Sequence, residues 1–186
     1  MNAPTLPMRV EDFIEWSMRQ PRGRFELLRG EIIPMNPERT GHMRVKTRVF
    51  NAFEAPIAAA GRELHVLPDG ATVRIDDHTA FEPDALVYAG ALLPDDTIII
   101  PEPVIVVEVV SPSSVSIDTT RKFIGYFKVP SIRHYLIIDA ATRSVVHHQR
   151  LADGTIRSQA ITEGAVSLDP PGLTVALSAM FPPAAA

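Results

Sequence analysis

Residues 103–110, "PVIVVEVV", decide how this chain folds. The run is apolar, of strand length and almost wholly β-branched, which suits a central strand covered on both faces. It carries one acid, Glu108. An unpaired carboxylate buried in such a strand costs several kcal/mol, comparable to a domain's whole net stability. Glu108 therefore belongs at a wet strand end or beside something that compensates it, such as a metal ion. The same problem recurs upstream in "FEPDALVY" (81–88), where Asp84 follows Pro83 at the mouth of a second apolar run. If the two strands are neighbours, both carboxylates reach one end of the sheet. Two carboxylates that close repel, and they are stable together mainly when they share a proton or a hard cation. The simpler reading, with Asp84 capping a turn and Glu108 paired with an arginine, stays open on spacing alone.

The surrounding segments supply the other elements. A helical stripe of Val10, Phe13, Ile14 and Met18 predicts a helix over 9–20, ended by Pro21. "RFELLRGEIIPM" reads as a hairpin of two short strands around Arg29-Gly30. Val45, Val49, Phe53 and Ile57 at four-residue steps mark the longest helix, closed by Gly61, with a basic solvent face of Arg44, Lys46 and Arg48. "ELHVLP", "ATVRID", "PDALVYA" and "PVIVVEVVS" are strands, and 116–128 is a helix. "RHYLIID" and "RSVVHHQR" are strands around the turn "DAAT", and the tail adds a short strand or two. Adjacent His147 and His148 point to opposite faces of their strand. Together these elements predict a mixed α/β (α+β) fold with a central mixed β-sheet flanked by helices. The expectation is one domain over 1–186: a core of about 22–140, an N-terminal helix 9–20 and C-terminal strands over 143–178.

Composition narrows the function classes. With 46% hydrophobic and 22% charged residues, the chain is ordinary for a globular protein. No apolar run nears the ~20 residues of a membrane span, and the N-terminus lacks an apolar signal core. The absence of cysteine removes disulfides and thiolate metal sites and suits a reducing cytoplasm. Any metal would need oxygen or imidazole ligands. The net charge of −4 is unevenly spread: residues 51–110 hold two Arg/Lys against eleven Asp/Glu, between basic ends. An acidic middle suits a divalent-cation site, though acidic loops such as "IDDHTAFEPD" and "LLPDDT" also occur simply as solvated surface.

Lys122 is the candidate cation to hold a water and to offset charge on a phosphorane-like transition state. Asp118, Lys122 and Tyr126 share one helical face at i, i+4 and i+8, which also allows a plain Asp118–Lys122 surface pair.

The ordered set "FELLRGEII", "GHMRV" opening a long helix, "PDALVY", "VVEVVSPSS" and "DTTRKFIGYFKVPSIRHYLIID" resembles the Uma-type putative restriction endonucleases of the PD-(D/E)XK nuclease superfamily. The resemblance spans roughly residues 22 to 140. It implies a restriction-endonuclease-like core and Mg²⁺-dependent (or Mn²⁺-dependent) hydrolysis of DNA. By the resemblance, Asp84 and Glu108 are metal ligands, Glu31 is a further metal or water ligand, and His42 is the histidine that begins the long helix. The superfamily signature places a lysine two residues after Glu108, where this chain has Val110. In the resembling family that lysine sits in the next helix, where Lys122 matches, with Tyr126 one turn on. Lys128 before Val129-Pro130, and Arg133, also depart from the family pattern. DNA is the expected partner, and a homodimer the simplest assembly for a cut across both strands. Two other readings are a nuclease fold that has lost turnover and serves as a binding or regulatory module, and a carboxylate-pair glycoside hydrolase. The latter calls for an aromatic-lined cleft, and the segments around Asp84 and Glu108 offer few aromatics.

Overall fold

The computed structural model describes residues 7–110 and 117–181. Along the chain run α1 (Val10–Met18), β1 (Phe25–Leu28), β2 (Glu31–Pro34), α2 (Thr40–Ala60), β3 (Leu64–Pro68), β4 (Val73–Asp76), β5 (Thr79–Phe81) and β6 (Ala85–Ala89). There follow β7 (Pro103–Val110), α3 (Ile117–Tyr126), β8 (His134–Asp139), β9 (Ser144–Arg150), β10 (Ile156–Ile161), β11 (Ala165–Leu168), β12 (Leu173–Ala176) and α4 (Leu177–Met180). "SPSS" after β7 lies outside the described residues, as does the side chain of Asp118.

The apolar run of β7 does what its composition requires. It lies inside a six-stranded sheet of order β10-β9-β8-β7-β6-β3, parallel to β8 and antiparallel to β6. A parallel pair needs a crossover, and α3 makes it. Successive side chains of a strand face opposite layers. Ile105, Val107 and Val109 of β7 therefore join Ala85 and Val87 of β6 beneath Val45, Val49 and Phe53 of α2. On the other face Val106, with Leu86 and Tyr88, packs against Tyr126 of the α3 layer. Glu108 has the parity of Val106, so it points to the α3 side.

The hairpin around Arg29-Gly30 is present, and both residues adopt positive φ, 53° and 82°, as a two-residue primed turn demands. Gly61 closes α2 with φ 61°. The central mixed sheet and its helices agree with the sequence pattern. What the pattern missed is a second sheet, β2-β1-β5-β4, in which the three-residue β5 joins the hairpin to β4. Its β1, β2 and β4 were expected as strands; β5, at three residues, carries too little periodicity to stand out. The six-stranded sheet also continues past residue 140 through β9 and β10.

The β11–β12 hairpin and α4 close the α2 layer with Val166, Leu168, Leu173, Val175 and Met180. A hydrogen-bonded chain ties this hairpin to the sheet. His134 Nε2 lies 2.7 Å from the Pro170 carbonyl, which can only accept, so that nitrogen donates. His134 Nδ1 then accepts from His147 Nε2 at 2.8 Å, and the Gln159 amide lies 3.2 Å from His147 Nδ1. As expected, His148 faces the other way, against Phe123 and Tyr135.

Gly125 sets how closely α3 approaches. A Cβ there would lie 2.6 Å from Cε2 of the buried Phe81 ring. Gly125→Ala is expected to destabilise the protein by about 1 kcal/mol, because overpacking outweighs the helix-propensity gain. Gly41, in α2, has no atom within 4 Å of such a Cβ. Gly41→Ala should stabilise by about 0.4–1 kcal/mol. Urea unfolding of the two variants measures both signs.

Candidate functional site

The site forms where β6, β7, α2, α3 and the β1 strand meet. Asp84 precedes β6, and its backbone N–H donates to Val107 O at 2.9 Å. With Ala85 opposite Val107, Asp84 falls beside Glu108 across the β6–β7 pair. Because β6 and β7 are neighbours, the two acids reach one sheet end.

Asp84 is buried and strongly held. Its Oδ2 accepts from the Val109 N–H at 2.6 Å and lies 3.8 Å from His42 Nε2, while Oδ1 is 2.8 Å from Lys46 Nζ. Burial alone would raise its pKa, but His42, Lys46 and the Val109 N–H outweigh it and hold the carboxyl below its ordinary value. Glu108 behaves oppositely. Burial pushes it up to about 8, against the pull of Lys122, and the neighbouring Asp84 and Glu26 charges add to the rise. Its Oε1 accepts from Lys122 Nζ at 2.9 Å and from Tyr126 Oη at 2.6 Å. Lys122 and Tyr126, one turn apart on α3, thus grip one oxygen. Neighbouring carboxylates pushed to opposite sides of their usual range are a recurrent mark of acid–base sites.

Lys122 is also 2.9 Å from Glu26 Oε1, and Glu26 accepts from the Glu82 N–H at 2.9 Å. Sequence reasoning passed over Glu26, although a buried acid in "FELL" gives the same signal as Glu108 in "VVEVV". The structure does not bring Glu31 to either acid. Glu31 is exposed at the start of β2, opposite Leu28, whereas Glu26 one strand away takes the inner position. No hydrogen bond or ion pair joins Glu31 to Asp84 or Glu108 in this structure.

Lys46 calls for a correction. It was read as part of a basic solvent face, yet it is only 6% exposed and points inward. Its Nζ lies 2.6 Å from Glu38 Oε1 and 2.6 Å from Asp69 Oδ2, besides its contact with Asp84. Arg24 extends the network to Asp69 at 2.7 Å, to Glu38 at 3.6 Å and to Glu82. The signal for this part was spacing: Glu38, His42 and Lys46 recur every four residues into α2, on the side of Val45 and Val49. Six carboxylates (Glu26, Glu38, Asp69, Glu82, Asp84, Glu108) thus share three cations, Arg24, Lys46 and Lys122. The acidic middle of the sequence divides. Asp95 and Asp96 are solvated and Asp76 and Asp77 pair with surface cations, while Glu82 and Asp84 enter the cluster.

A cavity of about 580 Å³ opens beside Lys46, lined by Arg24, Met35, Glu38, Met43, Phe50 and Asp84 among others. Its walls are apolar near Met35, Met43 and Phe50 and charged at the Asp84 end.

A family model described as "Uma2: Putative restriction endonuclease" matches residues 10–181. The chain belongs to that family. Uma2 membership covers both sheets and the whole charged cluster. Two uncharacterized proteins of Synechocystis sp. (strain ATCC 27184 / PCC 6803 / Kazusa) are similar to this Uma2 chain. One, sll1609, is 26% identical over 69% of this chain and 73% of its own length. The other, slr1290, is 24% identical over 82% of this chain and 80% of its own. The fold is also that of a crystal structure titled as a putative nuclease belonging to DUF820 from Anabaena variabilis. That chain aligns with TM-score 0.75 and 15% identity, covering 94% of this chain and 97% of its own. Among the described residues no helix is long and apolar enough to cross a membrane.

Such nucleases call for a divalent metal, and the donors suit one. Glu38, His42 and Asp84 each offer a ligand atom, all within 4.8 Å of one another. Carboxylates with one imidazole and no thiolate suit a divalent cation. The surplus of carboxylates over fixed cations points the same way.

The raised pKa of Glu108 has a consequence for stability. Folded, the group keeps a proton that the unfolded chain loses near its ordinary value of 4.5. Its contribution is complete below that pH and is lost as pH rises through about 8. In EDTA, the melting temperature should fall from about pH 7 to about pH 9, above the range where histidines titrate. Glu108→Gln should flatten that fall, as read by scanning fluorimetry.

Proposed function

We propose that this protein is a metal-dependent endonuclease that hydrolyses phosphodiester bonds of DNA, acting in the cytoplasm. The observation that carries this reading is Lys122 Nζ lying 2.9 Å from both Glu108 and Glu26, although Val110 stands where the superfamily lysine is usually found. A lysine on a different element still arrives beside the second acid.

Asp84 with Glu38 and His42 would hold Mg²⁺ or Mn²⁺, with Glu108 as the adjoining carboxylate. When bound, the ion supplies Lewis acidity toward a phosphate oxygen and a water of lowered pKa. The chain's own residues do the rest. Once Glu108 has lost its proton, toward about pH 8, its carboxylate can take one from an attacking water. Lys122, pinned between Glu26 and Glu108, orients that water and offsets charge gathering on the phosphate oxygens. Tyr126 donates to Glu108 and fixes its rotamer, which makes it a positioning residue. Glu26 positions Lys122 in the same way. A cut across both strands suits two copies of the site in a homodimer.

The test is nicking and linearisation of supercoiled plasmid with Mn²⁺, stopped by EDTA. Asp84→Asn and Lys122→Met should each lower the rate by about 10²–10³-fold, the scale of losing one charge-stabilising group. Tyr126→Phe should lower it less and shift the pH profile, because Glu108 loses one donor. Wild-type cleavage by Lys122→Met would overturn the assignment. Unchanged DNA binding with no cleavage in any metal would show a binding module instead.

A further inference from the structure

Lys46 stands where a cation belongs. Its ammonium contacts Glu38 Oε1, Asp69 Oδ2 and Asp84 Oδ1 at 2.6, 2.6 and 2.8 Å. Two of those three carboxylates, Glu38 and Asp84, also form the donor group with His42. Mg²⁺ would need their oxygens at about 2.1 Å. An ammonium already in contact with those oxygens is too near such an ion to stay. Like charges at that separation, partly buried, repel by several kcal/mol.

We propose that Lys46 is an exchangeable internal counter-ion, which closes the Glu38–His42–Asp84 group in the metal-free protein and is displaced into the adjoining cavity when a divalent cation binds. The proposal rests on the metal-dependent reading above and adds the event that opens the site. Room for the displacement exists, because Lys46 itself lines the 580 Å³ cavity together with Met43 and Phe50. A four-carbon stem can lie along those apolar walls while its ammonium stays wet. The charge balance favours the exchange, since a dication replaces a monocation inside a cluster rich in carboxylates. Until then Lys46 holds the Asp84 carboxylate at 2.8 Å, so the donor oxygens are already gathered. No monovalent ion improves on the tethered ammonium, so the device also selects for divalent charge.

The lysine content makes the test clean, because Lys46, Lys122 and Lys128 are the only three in the chain. Full-length protein is treated with an amine-acetylating reagent with and without Mn²⁺, and each lysine is followed by peptide mass spectrometry. Calorimetry on the same sample establishes that Mn²⁺ is bound. Without metal, Lys128, 55% exposed, should label while Lys46 and Lys122 stay protected. With Mn²⁺, Lys46 labelling should rise by at least about tenfold as its amine leaves the cluster for solvent, with Lys122 unchanged. Lys46→Gln should bind Mn²⁺ more tightly, by about 5–150-fold, the usual range for two coupled binding events. Should that variant not fold, the wild-type labelling alone decides. Bound Mn²⁺ with Lys46 still protected overturns the counter-ion and leaves the metal site standing. No Mn²⁺ binding to either protein overturns the metal reading and the counter-ion with it.

Discussion

Carboxylates crowd into an apolar interior only where positive charge meets them, and this constraint organises the molecule. Asp84 and Glu108 occupy neighbouring strands whose other side chains are core. Neither acid could stay there alone. The α2 layer answers Asp84 with His42 and Lys46, and the α3 layer answers Glu108 with Lys122 and Tyr126. Both helices are thus held to the sheet by hydrophobic contact along their length and by charge at one end. The second sheet belongs to the same scheme, because β1 supplies Glu26 to Lys122.

Much of the fold was legible because periodicity is strong in long elements. The β-branched run of β7, the four-residue steps of α2 and the Gly61 stop all appear where the pattern put them. Of the second sheet, β1, β2 and β4 were legible as strands, but β5 was not, since three residues hold no usable alternation. Within the site, Asp84, Glu108 and Lys122 stood out as charges set in apolar or lysine-poor surroundings. Glu26 gave the same signal and was passed over in favour of Glu31, its neighbour across the turn. Lys46 was misjudged for a different reason. A lysine in the first turns of a helix beside two arginines reads as surface, although its four-residue step from Glu38 and His42 sets it over three carboxylates.

On the nuclease reading proposed above, Val110 and Lys122 mark a change of address for one cation. In this fold β7 runs into α3, and the helix comes back over the strand it has just left. A lysine leaving the strand motif can therefore re-enter from above and meet the same glutamate oxygen. The structure has an ammonium beside Glu108, carried by the helix and not by the strand. Gly125 is the condition for this, because the α3 backbone must pass close over Phe81 for Lys122 to reach.

The histidine chain that ties down the C-terminal hairpin has a direction, and direction makes it conditional. From Gln159 through His147 and His134 to the Pro170 carbonyl, each imidazole donates once and accepts once. There is no acceptor left for an extra proton. Burial, followed by the repulsion of His134, holds His147 down to about 4. Unfolded, the same ring would take its proton near the ordinary value of 6.5, so its contribution is whole above that pH and drains away toward 4. The seam between hairpin and sheet is therefore a one-way wire for protons, and acid is what cuts it.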